Sequence, residues 1–217
     1  MNWYCSFSLL LLLVCSGGAS IVQADEDDQL EERIRKLLIV EDDLTGRYRR
    51  ELLGYGDRAL PVLRKILSSP PGNAIDEYRV SRALTILADI GGNASKLRPE
   101  VQRKFLSESA SIRWRAVEAL ASIGSSKDVP ILVGMLYDYD STVRYQAARA
   151  LGKLGDGSVL PALEIWQKQA AETDKLRPLE DKWLTDSMLK ILEEAETAIK
   201  HRNNSTTEAN DPRGDGK

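Results

Sequence analysis

Catalysis in a chain of this size is usually read first from histidine and cysteine, and these 217 residues include one histidine and two cysteines. The histidine is His201, close to the C-terminal end; the cysteines are Cys5 and Cys15, close to the other. A zinc site draws several such ligands together at short spacing, so no metal is expected. Acyl transfer sets a base against an activated nucleophile. Ser125-Ser126 has no nucleophile-elbow context, and His201 has no partner cluster. Gly54-Tyr55-Gly56 and Gly155-Asp156-Gly157 close helical patterns, whereas a phosphate loop opens a helix. The expectation is no catalytic residue, no metal ligand, no cofactor and no enzyme.

Adhesion is the chemistry these residue types offer instead. Removing the apolar stripes from the second helix of each repeat leaves Ser81, Arg82 and Thr85, then Trp114, Arg115 and Glu118, then Tyr145, Gln146 and Arg149. Trp114 and Tyr145 hold matching positions, as do Arg115 and Gln146. Trp, Tyr and Arg join contact area to a polar handle, which is why interfaces are anchored by them. Arg82, Trp114, Arg115, Tyr145, Gln146 and Arg149 are the candidate partner-binding residues. The competing account packs the aromatics over adjacent turns.

The elements that must position them come from an internal repeat. Gly91, Gly124 and Gly155 each close an apolar helical pattern, 33 and 31 residues apart, and Pro99, Pro130 and Pro161 are spaced by 31. A fixed period of this length marks stacked helical hairpins. In the clearest unit, Ile131, Leu132, Met135 and Leu136 form one stripe. Asp138 to Ser141 supply a capping turn, and Val143, Ala147, Ala150, Leu151 and Leu154 form the second stripe. The unit before it uses Val101, Phe105 and Leu106, then Ile112, Ala116, Val117, Leu120 and Ile123. Further upstream, Pro61 precedes Pro99 by 38 residues, which predicts an inserted loop around Ser68 to Glu77. Diverged layers at about residues 30–53 and 161–200 bring the expectation to about five hairpins, the terminal ones acting as caps.

The stretch Leu136 to Asp156, LYDYDSTVRYQAARALGKLGD, resembles a HEAT repeat, especially the short HEAT-like type named after phycobilisome lyases. The resemblance is strong over Pro130 to Leu163 and fades toward both ends. It implies an all-α, right-handed superhelix of the HEAT or armadillo-like kind, with the second helices lining a concave face. It also implies inter-repeat roles for Arg113, Asp138, Asp140 and Arg144. Arg144 would match the family's structural arginine and pair with Asp138 or Asp140. Arg113 matches that position again, although its own turn holds Glu108 and no aspartate. The lyases' bilin functions are not encoded by this motif.

At the ends, residues 1–24 read as a secretory signal. An apolar run at Leu9 to Val14 leads to Val22-Gln23-Ala24, and the run is too short to span a bilayer. Cys15 sits where a lipoprotein box would place it, behind a Val14 that departs from that pattern. Both cysteines would leave with this segment, so residues 25–200 form the repeat domain without a disulfide. Residues 201–217 read as a polar tail. The formal charge of −3 gives no electrostatic case for nucleic acid or an acidic membrane. These readings lead to an exported, periplasmic or extracellular, non-catalytic scaffold. It would bind a protein or peptide as a monomer or within a hetero-complex, without stable membrane insertion. The alternative is an accessory module for an acidic extracellular glycan, or an enzyme-associated subunit.

Overall fold

The protein is described by a computed structural model over residues 26–39, 46–70, 72–174 and 182–209. The signal segment, Cys5 and Cys15 lie outside these residues. Among the described residues the secondary structure is helical, with ten α-helices. They are α1 (26–37), α2 (Arg47–Gly54), α3 (Leu60–Ser68), α4 (Ala74–Ile90), α5 (Arg98–Arg103), α6 (Ala110–Ile123), α7 (Val129–Met135), α8 (Ser141–Leu154), α9 (Leu160–Asp174) and α10 (Lys182–Ala209). The class is an all-α solenoid.

The proline period has a simple local cause. Pro61, Pro99, Pro130 and Pro161 are each the second residue of α3, α5, α7 and α9. There the missing N–H costs nothing and the fixed φ suits the helix. Gly124 and Gly155 end α6 and α8 with φ of −81° and −69°, so the left-handed region is not their reason. A Cβ at either would stand 2.4 or 2.5 Å from the carbonyl oxygen of Leu120 or Leu151. The chain leaves each helix too close to its own last turn for a side chain. Gly91 differs: its φ of +67° favours glycine outright.

The extra length before Pro99 is mostly not a loop. Asn73 accepts the Asp76 N–H at 3.0 Å and starts α4 at Ala74, inside the expected insertion. α4 has 17 residues where α6 and α8 have 14. A seven-residue 3-10 helix follows it, Gly91–Leu97, against three residues at Ser126–Asp128 and Gly157–Val159.

Packing sorts the helices into two rows. α2, α4, α6, α8 and α10 lie side by side, each against the next, while contacts among the first helices are sparser. The second helices thus form the more continuously packed row. Ala83, Ala116, Ala119, Ala147 and Ala148 are buried there, and small side chains let helix axes approach. Gly152 of α8 faces Ala195 of α10 so closely that a Cβ would lie 3.0 Å from the alanine's own. Leu63, Leu84, Leu87, Val101, Ile112, Leu120, Leu132, Leu136 and Leu151 continue one core through the layers. Two residues assigned to stripes face outward: Leu106 is 89% exposed and Ile131 38%. Leu106 ends a 3-10 turn, Lys104–Leu106, whose tighter winding rotates it off the α-helical stripe.

At the far end α10 continues through Ala209, past the boundary that composition places at residue 201. Arg202 explains part of this. Its guanidinium donates to the carbonyls of Lys153 and Gly152 at 2.5 and 2.8 Å, satisfying acceptors in the last turn of α8.

Candidate functional site

Two arginine systems occupy different edges of the stack. The first is a staple between layers. Arg113 donates from Nη1 to the carbonyls of Ser107 and Glu108, at 2.9 and 3.0 Å, closing its own turn. Its Nε and Nη2 reach forward to both carboxylate oxygens of Asp138 in the next layer, at 2.8 and 2.9 Å. Both side chains are buried, 4% and 8% exposed, and Tyr139 lies over the guanidinium at 4.2 Å. Burial works to raise the Asp138 carboxyl. The Arg113 hydrogen bonds and the Asp140 N–H outweigh it and hold the group below its ordinary value. Arg113 is held above its own by the same carboxylate.

Arg144 repeats half of this arrangement. Its Nη1 donates to the carbonyls of Asp138 and Tyr139 at 2.8 and 3.0 Å, as Arg113 does one layer earlier. The expected pairing of Arg144 with a carboxylate of its own turn is corrected by this geometry. In that turn it binds backbone oxygens, and the basic partner of Asp138 is Arg113, one layer back. Asp140 caps α8, accepting the N–H groups of Thr142 and Val143 at 2.9 and 3.1 Å. A glutamate in the Arg113 turn is therefore no defect, because the carboxylate belongs to the following layer.

The second system lies along the row of second helices. Arg82 of α4 stacks at 4.1 Å over Tyr48, from α2, and at 4.8 Å over Tyr78. It also donates to the Tyr78 hydroxyl. Arg115 of α6 lies at 3.9 Å over Trp114 and touches Glu118 at 3.4 Å. Arg149 of α8 lies at 6.0 Å from Tyr145 and bonds Gln146 at 3.4 Å. All six candidate residues are brought onto neighbouring second helices. Tyr48, Tyr78 and the Arg49–Asp89 ion pair on the same row escape sequence reading. α2 lies in the diverged first layer, and α4 carries Ser81 where Trp114 and Tyr145 stand. Tyr78, one turn before Arg82 on α4, was the signal available in the sequence.

Two buried acids also went unread. Asp128, 3% exposed, accepts from Gln102 at 2.6 Å, from Arg98 at 3.2 Å and from the Ser125 N–H at 2.7 Å. Glu100 meets Arg64 and Arg103 at 3.4 and 3.6 Å. Among the described residues no group of three or more His, Cys, Asp or Glu could hold a metal ion. No described helix is long and apolar enough to cross a membrane. A small cavity of about 210 Å³ opens between α8 and α10, lined by Arg149, Gly152, Ile191, Glu194, Ala195 and Ala198.

This stack of paired helices with an arginine staple defines a helical-repeat protein. Residues 96–175 match the family model described as HEAT repeats, so the chain carries HEAT repeats there. Among curated proteins it is similar to deoxyhypusine hydroxylases. The relative from Phaeosphaeria nodorum is 30% identical over 126 residues, covering 56% of this chain and 38% of that protein. The one from Gallus gallus is 31% identical over 111 residues, covering 48% and 36%. The one from Drosophila melanogaster is 30% identical over 109 residues, covering 48% and 35%. The chain thus spans less than two-fifths of the length of these relatives. A solved engineered protein aligns over 83% of this chain and 85% of its own, with 23% identity and a TM-score of 0.47.

These relatives correct the functional expectation. A non-catalytic scaffold, with no enzyme activity, is overturned by matches to proteins named as hydroxylases. The glycan-accessory alternative falls with it. The exported, secreted or periplasmic placement is withdrawn too. It rested on the signal peptide read from residues 1–24, outside the described residues, and the relatives are named for hydroxylation.

Proposed function

We propose that this chain serves deoxyhypusine hydroxylation, the activity for which its relatives are named. In this reading the HEAT layers form the part of such an enzyme that grips its protein or peptide substrate along the row of second helices. The observation that carries it is the run of matches at about 30% identity over roughly half of the chain. Arg82, Trp114, Arg115, Tyr145, Gln146 and Arg149 form the gripping face. Arg113, Asp138, Asp140 and Arg144 keep successive layers in register, so that the face is presented rigidly at small ordering cost. The lyase-like form of the repeat describes its length and brings no bilin chemistry.

Hydroxylation of a C–H bond draws on a redox centre that ordinary side chains do not supply. A non-haem iron centre of the usual kind takes two histidines and a carboxylate. The chain has only His201, and the described residues do not fit such a centre, so no step is assigned through one. The test is direct. A peptide bearing deoxyhypusine is incubated with the chain, ferrous iron and oxygen, and its mass is followed. Gain of one oxygen atom supports the reading. Binding of this peptide in preference to its unmodified-lysine form, with or without oxygen gain, supports the gripping role, and no such preference overturns the reading.

A further inference from the structure

Arg82 and Arg115 occupy equivalent positions on adjacent second helices, and each is held mainly by a ring instead of an acid. Arg82 lies between Tyr48 and Tyr78, and Arg115 on Trp114. Arg113 provides the contrast, because its Nε, Nη1 and Nη2 all bond within the protein. Arg82 makes one hydrogen bond, to Tyr78, and its Nη1 is enclosed without an acceptor. Arg115 makes one long contact, to the partly exposed Glu118, and its Nε is likewise without an acceptor. An enclosed donor left unbonded on a charged group carries a free-energy cost. Those two nitrogens face inward, whereas the Arg115 side chain is still 32% exposed and Arg82 is half-buried; ring backing keeps each guanidinium oriented, and its exposed part can meet a carboxylate.

We propose that Arg82 and Arg115 form a paired carboxylate anchor on the row of second helices, recognising an acidic segment of a protein partner. This rests on reading the second-helix row as the substrate-gripping surface and names the chemistry of what it grips. Helices packed side by side lie roughly 8–10 Å apart. Side chains two or three residues apart along an extended peptide span roughly 7–10 Å, so one strand of partner crossing the row can place one carboxylate on each arginine. Charge selects this occupant over a polyanion. Asp89 and Glu118 are ion-paired to Arg49 and Arg115, and with Glu194 they break up the positive surface that a continuous run of phosphates needs. A peptide with isolated acids between neutral residues avoids them. Trp114 and Tyr145 then supply apolar surface beside the anchor.

The test uses equilibrium binding. A fluorescein-labelled peptide with two aspartates two residues apart beside a phenylalanine is titrated with the full chain, with the R82Q/R115Q double variant and with K168Q as a remote control. A second peptide carries asparagines in place of the aspartates, and a single-stranded oligodeoxynucleotide serves as the polyanion. Circular dichroism and thermal melting establish that each variant is folded. The expected result is weakening of about tenfold or more in the double variant, a shallower salt dependence and no change in K168Q. Equal binding of both peptides, equal binding by the double variant, or tighter binding of the oligonucleotide each overturns the anchor. The hydroxylase reading is judged by preference for the deoxyhypusine peptide over its unmodified-lysine form, so either reading can fail while the other stands.

Discussion

Arg113 and Asp138, 25 positions apart in the chain, meet through two hydrogen bonds of 2.8 and 2.9 Å across the boundary between two layers. Both are nearly sealed from solvent. The pair fixes the turn before α6 to the turn before α8 and so sets the rotation between successive second helices. Trp114 on α6 and Tyr145 on α8 are carried by the helices so joined.

Removing one member leaves the other charged and buried. Truncating one side of a buried ion pair typically costs about 3–5 kcal/mol. Asp138→Ala should therefore lower the urea midpoint strongly, with Arg113→Met close behind. A variant of the exposed Lys36–Glu32 pair should hardly move it, because solvent screens such pairs. A midpoint unchanged in Asp138→Ala would remove the staple from the account of layer register.

The same pair sets an acid limit. The Asp138 carboxyl is held below its ordinary value of 3.8, so the folded state binds its proton less readily than the unfolded chain does. Stability from this group is fully present above about pH 4 and is lost as pH falls through the lower folded value. Glu31, bonded by Lys65 and Arg35, and Asp156, bonded by Ser158, are lowered in the same direction. Unfolding midpoints measured from pH 6 to pH 2 should fall for the wild type. In Asp138→Asn the fall should be shallower from a lower start, and parallel curves would show that Asp138 contributes nothing to the acid limb.

Gly124 and Gly155 should resist even alanine. Each added Cβ would meet a backbone oxygen at 2.4 or 2.5 Å, and backbone cannot swing aside as a side-chain tip can. Gly124→Ala and Gly155→Ala should each cost about 1–3 kcal/mol, measured by chemical denaturation. Gly134→Ala, where nothing stands within 4 Å, should be neutral or slightly stabilising inside α7.

Much of this architecture was legible because the period records local geometry. The prolines mark helix starts, the glycines mark chain exits with no room for Cβ, and Asp140 caps α8. Contacts that cross from one layer to the next were not legible. Nothing local to Arg113 indicates a carboxylate 25 positions on, and nothing in the first layer indicates that Tyr48 reaches Arg82. Leu106 entered the stripe on α-helical periodicity, which a 3-10 turn breaks. The similarity to proteins named deoxyhypusine hydroxylase lay beyond residue-level reasoning altogether, because the one-histidine inventory pointed away from catalysis.

Layer cohesion on the first-helix side can be tested at a tryptophan. Trp166 of α9 is 7% exposed and donates from its indole nitrogen to the Leu136 carbonyl, at 2.6 Å, at the end of α7. Trp166→Phe keeps most of the ring area but leaves that carbonyl without this donor, at a cost of about 1–3 kcal/mol. Trp114→Ala offers the complementary case, because Trp114 is only partly buried and backs Arg115 on the row of second helices. Denaturation curves and peptide titrations on both variants should separate the two roles. Trp166→Phe should lose stability and keep affinity for the acidic peptide. Trp114→Ala should lose affinity while its midpoint moves less, since the arginine it supports would no longer be held in orientation. If Trp114→Ala instead unfolds as readily as Trp166→Phe and binds unchanged, the Trp114 ring is packing material and the grip lies elsewhere.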